Sequence, residues 1–225
     1  MKRFFLILTC LIFSFLTLGG CDCNGEEQGL SVYVSQLRYQ LYEGKSQNYT
    51  LFAEYGYTES PYLADGKIGE KIYVLKFRLP DKQTDQVTYS ICLEFNGKTY
   101  NQNFALSPNR HALTCEMQID AFDKKEFTVT IGTDADKESL TLKSVVPNNV
   151  LDYKGALKAL QKHQAELLNT YRDSEGVFCA EIYARIIVKE DKAYWYIGIA
   201  SERGSIKALL IDAQNGEVLA IRDVF

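Results

Sequence analysis

The sequence predicts a mainly β protein that ends in a small α+β unit. Three observations lead to this prediction. Apolar and polar residues alternate through much of the first two thirds of the chain, Pro147-Asn148-Asn149 interrupts the pattern, and the spacing then becomes helical before strands return. We therefore expect a β-sandwich over 31–147 and a helix packed on an antiparallel sheet over 150–225.

The clearest strand of the N-terminal unit has a period of two. Its apolar face carries Val87, Tyr89, Ile91, Leu93 and Phe95. Asn96-Gly97 follows directly, and this dipeptide is the strongest two-residue hairpin signal. Similar runs predict about seven or eight short strands in this unit, which favours a sandwich of immunoglobulin-like type, with a small barrel as the alternative.

The C-terminal unit begins with a predicted helix that has Asp152 as its N-cap and Gly176 beyond its end. Gln164 is a polar exception on the apolar face of this helix. The face consists of Tyr153, Ala156, Leu157, Leu160, Leu167, Leu168 and Tyr171. Four strands are expected to follow, at about 177–189, 192–201, 205–212 and 217–224, with Glu190-Asp191 as the first turn between them.

The N-terminus has the features of a secretory signal. Lys2 and Arg3 precede an apolar run over 4–18, and this run is too short to span a hydrocarbon core of ~30 Å as a helix. Leu18-Gly19-Gly20-Cys21 then resembles the lipobox of bacterial lipoproteins. The resemblance implies that 1–20 is a signal peptide cleaved before Cys21, and that the Cys21 thiol carries a diacylglyceryl group.

This interpretation places the protein on the extracytoplasmic side of the cell membrane, anchored by lipid. The polar residues over 21–30 would form a flexible tether. Removal of Lys2 and Arg3 leaves 23 basic and 29 acidic residues, a net charge of −6. Such a charge argues against binding to nucleic acid, and it leaves the lipid rather than charge to hold the protein at the membrane.

Two segments of the last third resemble the PepSY family. They are Ala193-Tyr194-Trp195-Tyr196-Ile197-Gly198-Ile199 and the stretch from Leu209 to Leu219 that contains Asp-Ala-Gln-Asn-Gly-Glu-Val-Leu. An Ala-containing helix precedes them, so the resemblance covers about 152–225. It implies a non-catalytic module that binds or restrains a peptidase, or that acts in envelope regulation. No catalytic residues accompany it.

The residues themselves indicate no catalytic or metal site. His111 lies in a predicted loop and His163 on the flank of the helix, and neither is in a recognisable nucleophile motif. Asp134-Ala135-Asp136 lacks the spacing of a calcium loop, so we interpret it as a hairpin turn. We expect no cofactor and no metal. An enzyme with an unrecognised site for cell-envelope material and a structural role in envelope assembly are the alternatives.

Tyr194 and Tyr196 are the candidate binding residues. In a strand they point away from Trp195, which shares a face with Ala193 and Ile197 and is expected to pack under the helix. The two tyrosines then face outward or toward the other unit. A protein partner, either a peptidase or another envelope protein, would bind there.

The cysteines that follow Cys21 are expected to be free thiols. Cys92 falls on the polar face of its strand and Cys115 on the apolar face of another. Side chains on opposite faces of one sheet do not reach the Cα spacing of ~5.5 Å that a disulfide needs. Cys23 and Cys179 have no evident partner in the sequence.

Overall fold

The computed structural model describes residues 29–60, 69–80, 87–108, 111–201 and 204–224. The predicted signal peptide, Cys21, Cys23 and nearly all of the predicted tether lie outside these ranges. The mainly β character is confirmed, because strands make up most of the described part. No helix in the described ranges is both long and apolar enough to cross a membrane.

Nine strands form the N-terminal part of the molecule within the described ranges. They are β1 (Val34–Lys45), β2 (Thr50–Ser60), β3 (Glu70–Leu79), β4 (Ser90–Phe95), β5 (Lys98–Asn103), β6 (Ala105–Leu106), β7 (Leu113–Gln118), β8 (Glu126–Gly132) and β9 (Lys137–Ser144). A short 3-10 helix, Leu30–Tyr33, precedes β1, and its Leu30 is buried. Asn96 and Gly97 both have positive φ, so the predicted hairpin between β4 and β5 is confirmed.

Hydrogen-bonded pairs link these strands in a series whose two ends, β5 and β6, are consecutive in the chain, and we call this arrangement the ring. From β1 the pairing runs through β2, β3 and β7 to β6 in one direction, and through β9, β8 and β4 to β5 in the other. Phe104 alone separates β5 from β6, so one bent segment closes the ring. Its interior is an aromatic-rich core that includes Tyr42, Tyr55, Phe77 and Phe122.

In the C-terminal part, the residues that the structure describes form two short helices followed by four strands. The helices are α1 (Tyr153–His163) and α2 (Ala165–Asn169), and the strands are β10 (Ala180–Lys189), β11 (Lys192–Ser201), β12 (Ile206–Asp212) and β13 (Val218–Val224). The strands pair antiparallel in chain order. The turn predicted at Glu190-Asp191 is confirmed, and both residues have positive φ.

Two expectations for this part need correction. The single helix predicted through Tyr171 is divided at Gln164, whose backbone leaves the helical region (φ −133°, ψ 35°) while its N–H still bonds to the Leu160 carbonyl at 2.8 Å. The break allows Leu168 to be buried against the sheet. Strand β10 begins at Ala180, later than expected, because Phe178 instead forms a bridge with Arg172.

Strand β1 connects the two parts in one sheet. Its first half pairs in parallel with β10, from Val34 opposite Ile182 to Arg38 opposite Arg185. Its second half pairs with β9 instead. The register with β2 shifts at Tyr39, which is a β-bulge, and bulges bend a strand and end its pairing. The sheet therefore branches at Tyr39: before this residue β1 lies beside β10, and after it β1 lies beside β9. We call this point the branch. The division into two domains stays a prediction.

The second core lies between the helices and one face of the C-terminal sheet. Trp195, Ile197, Leu157 and Leu160 are almost fully buried there. The N-terminal residues Leu30, Val34, Leu37 and Tyr57 belong to the same cluster. The expected position of Trp195 beneath the helix is thus confirmed, and its Nε1 donates a hydrogen bond to the Leu151 carbonyl at 2.8 Å.

Candidate functional site

Tyr194 and Tyr196 lie half-buried on β11, on the face opposite Trp195. Tyr194 is paired with Ile187 of β10, and Tyr196 is flanked by Leu210 of β12. The next pair on this face places Tyr183 opposite Gly198. We call the face formed by Tyr183, Tyr194, Tyr196 and Leu210 the tyrosine face. Both helices pack on the other side of the sheet, in the core around Trp195.

On the tyrosine face, the side chains of Tyr183, Tyr196 and Ile206 pack around Gly198. A Cβ added to Gly198 would lie 3.4 Å from Tyr196 Cε1 and Ile206 Cγ2, and 3.5 Å from Tyr183 Cδ2. The rings of Tyr183 and Tyr196 therefore approach the sheet backbone closely. Apolar ring surface with a polar hydroxyl at its edge is well suited to a protein interface.

Hydrogen bonds fix one end of this face. The Tyr183 hydroxyl donates to Glu181 Oε2 at 3.1 Å, and the buried Ser35 hydroxyl donates to the same oxygen at 3.3 Å. Arg185 Nη2 donates to Gln36 Oε1 at 2.6 Å. The bonds from Ser35 and to Gln36 cross between β1 and β10, so they hold the tyrosine face in a fixed position relative to the ring.

A cleft opens beside the tyrosine face, at the point where β1 leaves β10. It has a volume of about 800 Å³ and contains the last residues of β10, the turn that follows them, and parts of β1, β2 and β3. A smaller cavity of about 250 Å³ lies on the helix side of the same branch, near Tyr39, Tyr153 and Trp195. We call the larger opening the β1–β10 cleft.

The histidines lie in separate parts of the fold. His111 is exposed in the bend before β7, and His163 is the exposed last residue of α1. Asp134 and Asp136 lie in the turn between β8 and β9, as the sequence predicts. Within the described ranges, no group of three His, Cys, Asp or Glu side chains is placed to hold a metal ion.

The three cysteines in the described ranges are not in disulfides. Cys115 is buried in the ring core, and burial raises the pKa of its thiol to about 12. This thiol is therefore protonated and unreactive near neutral pH. Cys92 is partly exposed, and Cys179 is exposed, with its thiol 3.4 Å from the Val177 carbonyl.

No protein-family model matches the chain, and no curated protein is similar to it. The resemblances to lipoproteins and to the PepSY family stay predictions. Sequence reasoning selected Tyr194 and Tyr196 but missed the cleft beside them. The alternation of a single strand indicates which residues share a face, but the cleft depends on where two distant strands separate.

Proposed function

We propose that the protein is a lipoprotein anchored through Cys21 on the extracytoplasmic side of the cell membrane, with a binding rather than a catalytic role. The N-terminal sequence supports the anchor, because Lys2 and Arg3, the apolar run and the four residues ending at Cys21 occur in the required order. Two or more acyl chains at about 0.8 kcal/mol per buried CH₂ are sufficient for stable anchoring.

The tyrosine face is the observation that supports a binding role. It is a sheet surface with half-buried aromatic rings, and the helices pack on the opposite side. Its proposed occupant is a partner protein of the cell envelope. Because PepSY-like modules are proposed to restrain peptidases, a secreted peptidase is the first partner to test.

The finer fold types belong to the same proposal. The order of a helical segment followed by antiparallel strands supports a PepSY-like type for 150–225. For 31–147, the immunoglobulin-like sandwich and the small barrel both stay predictions, and the ring of strand pairs favours the barrel.

The anchor is tested by metabolic labelling with palmitate in the native host. The Cys21→Ala variant should lose the label, because its side chain has no thiol to carry the lipid. Cys179→Ala removes an exposed thiol elsewhere in the chain and should keep the label. Equal labelling of Cys21→Ala and the unaltered chain would contradict the lipoprotein assignment.

The binding role is tested by affinity purification of the tagged full chain from membranes, with secreted proteins added. A double variant, Tyr194→Ala with Tyr196→Ala, should lose a partner that the unaltered chain retains. Tyr100→Ala removes a similarly half-buried ring from β5 and serves as the control. A partner that survives the double variant would place binding elsewhere. If no peptidase co-purifies and none is inhibited, the peptidase assignment fails.

A further inference from the structure

Strand β10 continues beyond its partner β1. The parallel pairing ends at Arg38 opposite Arg185, whereas β10 continues to Lys189. The remaining four residues are about 13 Å long at 3.3 Å per residue. Their other edge is paired with β11 throughout, as far as Lys189 opposite Lys192. One edge of this segment therefore faces the β1–β10 cleft.

The hairpin geometry determines which peptide groups face the cleft. A two-residue turn closes on a hydrogen-bonded pair, so Lys189 and, by alternation, Ile187 and Arg185 bond to β11. The N–H and C=O groups of Ile186 and Val188 then point the other way, toward the cleft. Ile182 and Ala184 have the same orientation farther back, where β1 pairs with them.

The cleft is lined with apolar side chains beside this edge. Val145, immediately after β9, and Ile187 are 36% and 41% exposed, and both line the cleft. Leu41 and Phe52 contribute further apolar lining from β1 and β2. A peptide strand presents alternate side chains to each side, so apolar residues two apart would contact this surface.

The charged lining is acidic overall. It includes Glu43, Glu54, Glu190 and Asp191 against Lys76 and Arg78. Several of these charges are already satisfied, since Glu43 pairs with Lys45 at 2.6 Å, Glu54 with Arg38 at 3.5 Å, and Lys76 with Glu116 at 2.9 Å.

Glu190 and Asp191, at the turn, make no ion pair within the described ranges. Lys189 and Lys192 flank the turn but do not line the cleft. A basic residue on the occupant would therefore complement the turn end of the cleft.

We propose that the β1–β10 cleft binds an extended segment of a partner polypeptide as an added strand on β10. The segment pairs with the peptide groups of Ile186 and Val188, places alternate apolar side chains against Val145 and Ile187, and carries a basic residue opposite Glu190 and Asp191. Main-chain bonds give affinity in such strand addition, and side-chain contacts give specificity. The inference does not depend on lipidation of Cys21 or on binding at the tyrosine face.

Hydrogen exchange of the purified full chain in detergent provides the first test. The amides of Ile186 and Val188 should exchange faster than those of Ile182 and Ala184, which have the same orientation but are paired with β1. Equal protection of all four amides in the free protein would mean that the edge is already covered, and the proposal would be wrong.

Selection from a phage library of random short peptides is the second test. Recovered peptides should alternate apolar residues and carry basic ones, and a synthetic copy should slow exchange at Ile186 and Val188 about tenfold or more. Ile187→Glu should weaken its binding about tenfold, whereas Val177→Glu, an exposed valine outside the cleft lining, should change it less than about twofold.

A proline variant separates backbone pairing from apolar contact. Val188→Pro removes an N–H that faces the cleft and leaves the β11 bonds of its neighbours, whereas Val188→Ala keeps that N–H. Binding should be lost in the first variant and largely kept in the second, with unchanged circular dichroism in both. Failure to recover any peptide, or equal binding by Ile187→Glu, would overturn the proposal.

Discussion

The ring of β1–β9 and the sheet of β10–β13 differ in how their strand edges are paired. In the ring, pairing continues from β1 in both directions until β5 and β6 meet at Phe104. The C-terminal sheet ends at β13 on one side and has a partly open edge on β10 on the other. Closure reduces the open edges of the ring to one side of β5, which pairs only with β4, while an open edge is a template for another chain. The open edge of β10 differs because the β1–β10 cleft lies beside it, so recognition is expected in the C-terminal sheet.

The two cores also differ, both in composition and in how completely they are enclosed. The ring core is rich in tyrosine, and its buried hydroxyls bond to backbone, such as Tyr42 to the Lys124 carbonyl at 2.7 Å. The C-terminal core is mostly aliphatic around Trp195 and covers only one face of its sheet. The enclosed core stabilises the ring, whereas the one-sided core leaves the opposite face of the C-terminal sheet free to bind a partner. Substitutions on the two faces of β11 should therefore have unequal effects.

Trp195→Ala should have the largest effect on stability. The indole is 1% exposed, and its removal leaves a cavity and deprives the Leu151 carbonyl of its hydrogen bond. We expect the free energy of unfolding to fall by about 4 kcal/mol, measured by urea denaturation with circular dichroism. Tyr194→Ala, the adjacent residue on the open face, should cost clearly less. Equal losses would mean that both faces are equally packed.

Gly56→Ala should be nearly as damaging, because it affects the branch between the two regions. A Cβ on Gly56 would lie 1.8 Å from the carbonyl oxygen of Leu37, two residues before the bulge in β1. The backbone must move to relieve this overlap, at a cost of about 3 kcal/mol. Gly29→Ala is the matched control, since nothing lies within 4 Å of its added Cβ. A stable Gly56→Ala variant would show that the branch tolerates displacement.

The branch also marks the limit of what the sequence could predict. The turns at Asn96-Gly97 and Glu190-Asp191, the Asp152 cap and the burial of Trp195 all follow from residues close together in the chain. The pairing of Val34 with Ile182 does not, because no local pattern encodes a contact between such distant strands. The bulge at Tyr39 and the cleft that it opens were missed for the same reason.

Within the candidate site too, local features were predicted from the sequence and features that depend on distant strands were not. Alternation along β11 placed Tyr194 and Tyr196 opposite Trp195, as the structure has them. The exposed edge of Val188 had no sequence signal, because it depends on where β1 stops pairing. The break of the helix at Gln164 had a weak sequence signal, because Gln164 is the polar residue on an otherwise apolar helix face.

Tyr55→Phe tests whether the ring depends on its buried hydroxyls. The Tyr55 hydroxyl donates to the Ile119 carbonyl at 3.1 Å and accepts from the Phe122 N–H at 3.1 Å. Its loss leaves two buried backbone groups unsatisfied, so unfolding should become about 2 kcal/mol easier. Tyr100→Phe, at a half-buried ring on β5, should change stability little. If both variants match the unaltered chain, water must replace the hydroxyl in the core.

Asp152→Ala should produce the smallest effect and refine the comparison at the boundary of the C-terminal part. Asp152 Oδ1 accepts from the Gly155 N–H at 2.7 Å and caps α1. The adjacent Leu151 donates to the Ala213 carbonyl at 2.7 Å, so the start of the helix is also fixed by the sheet. Loss of the cap should cost about 1 kcal/mol in urea denaturation, and Asp152→Asn should restore most of it.

A cost well above that value would mean that the cap positions Leu151 for its bond with Trp195, and so stabilises the C-terminal core as well as the helix end. The double variant Asp152→Ala with Trp195→Phe separates the two possibilities. Additive losses indicate independent contributions, whereas a combined loss smaller than the sum indicates that the cap acts through Trp195. Since neither residue of this pair belongs to the ring core, the effect of Tyr55→Phe on stability should add to the effect of either substitution.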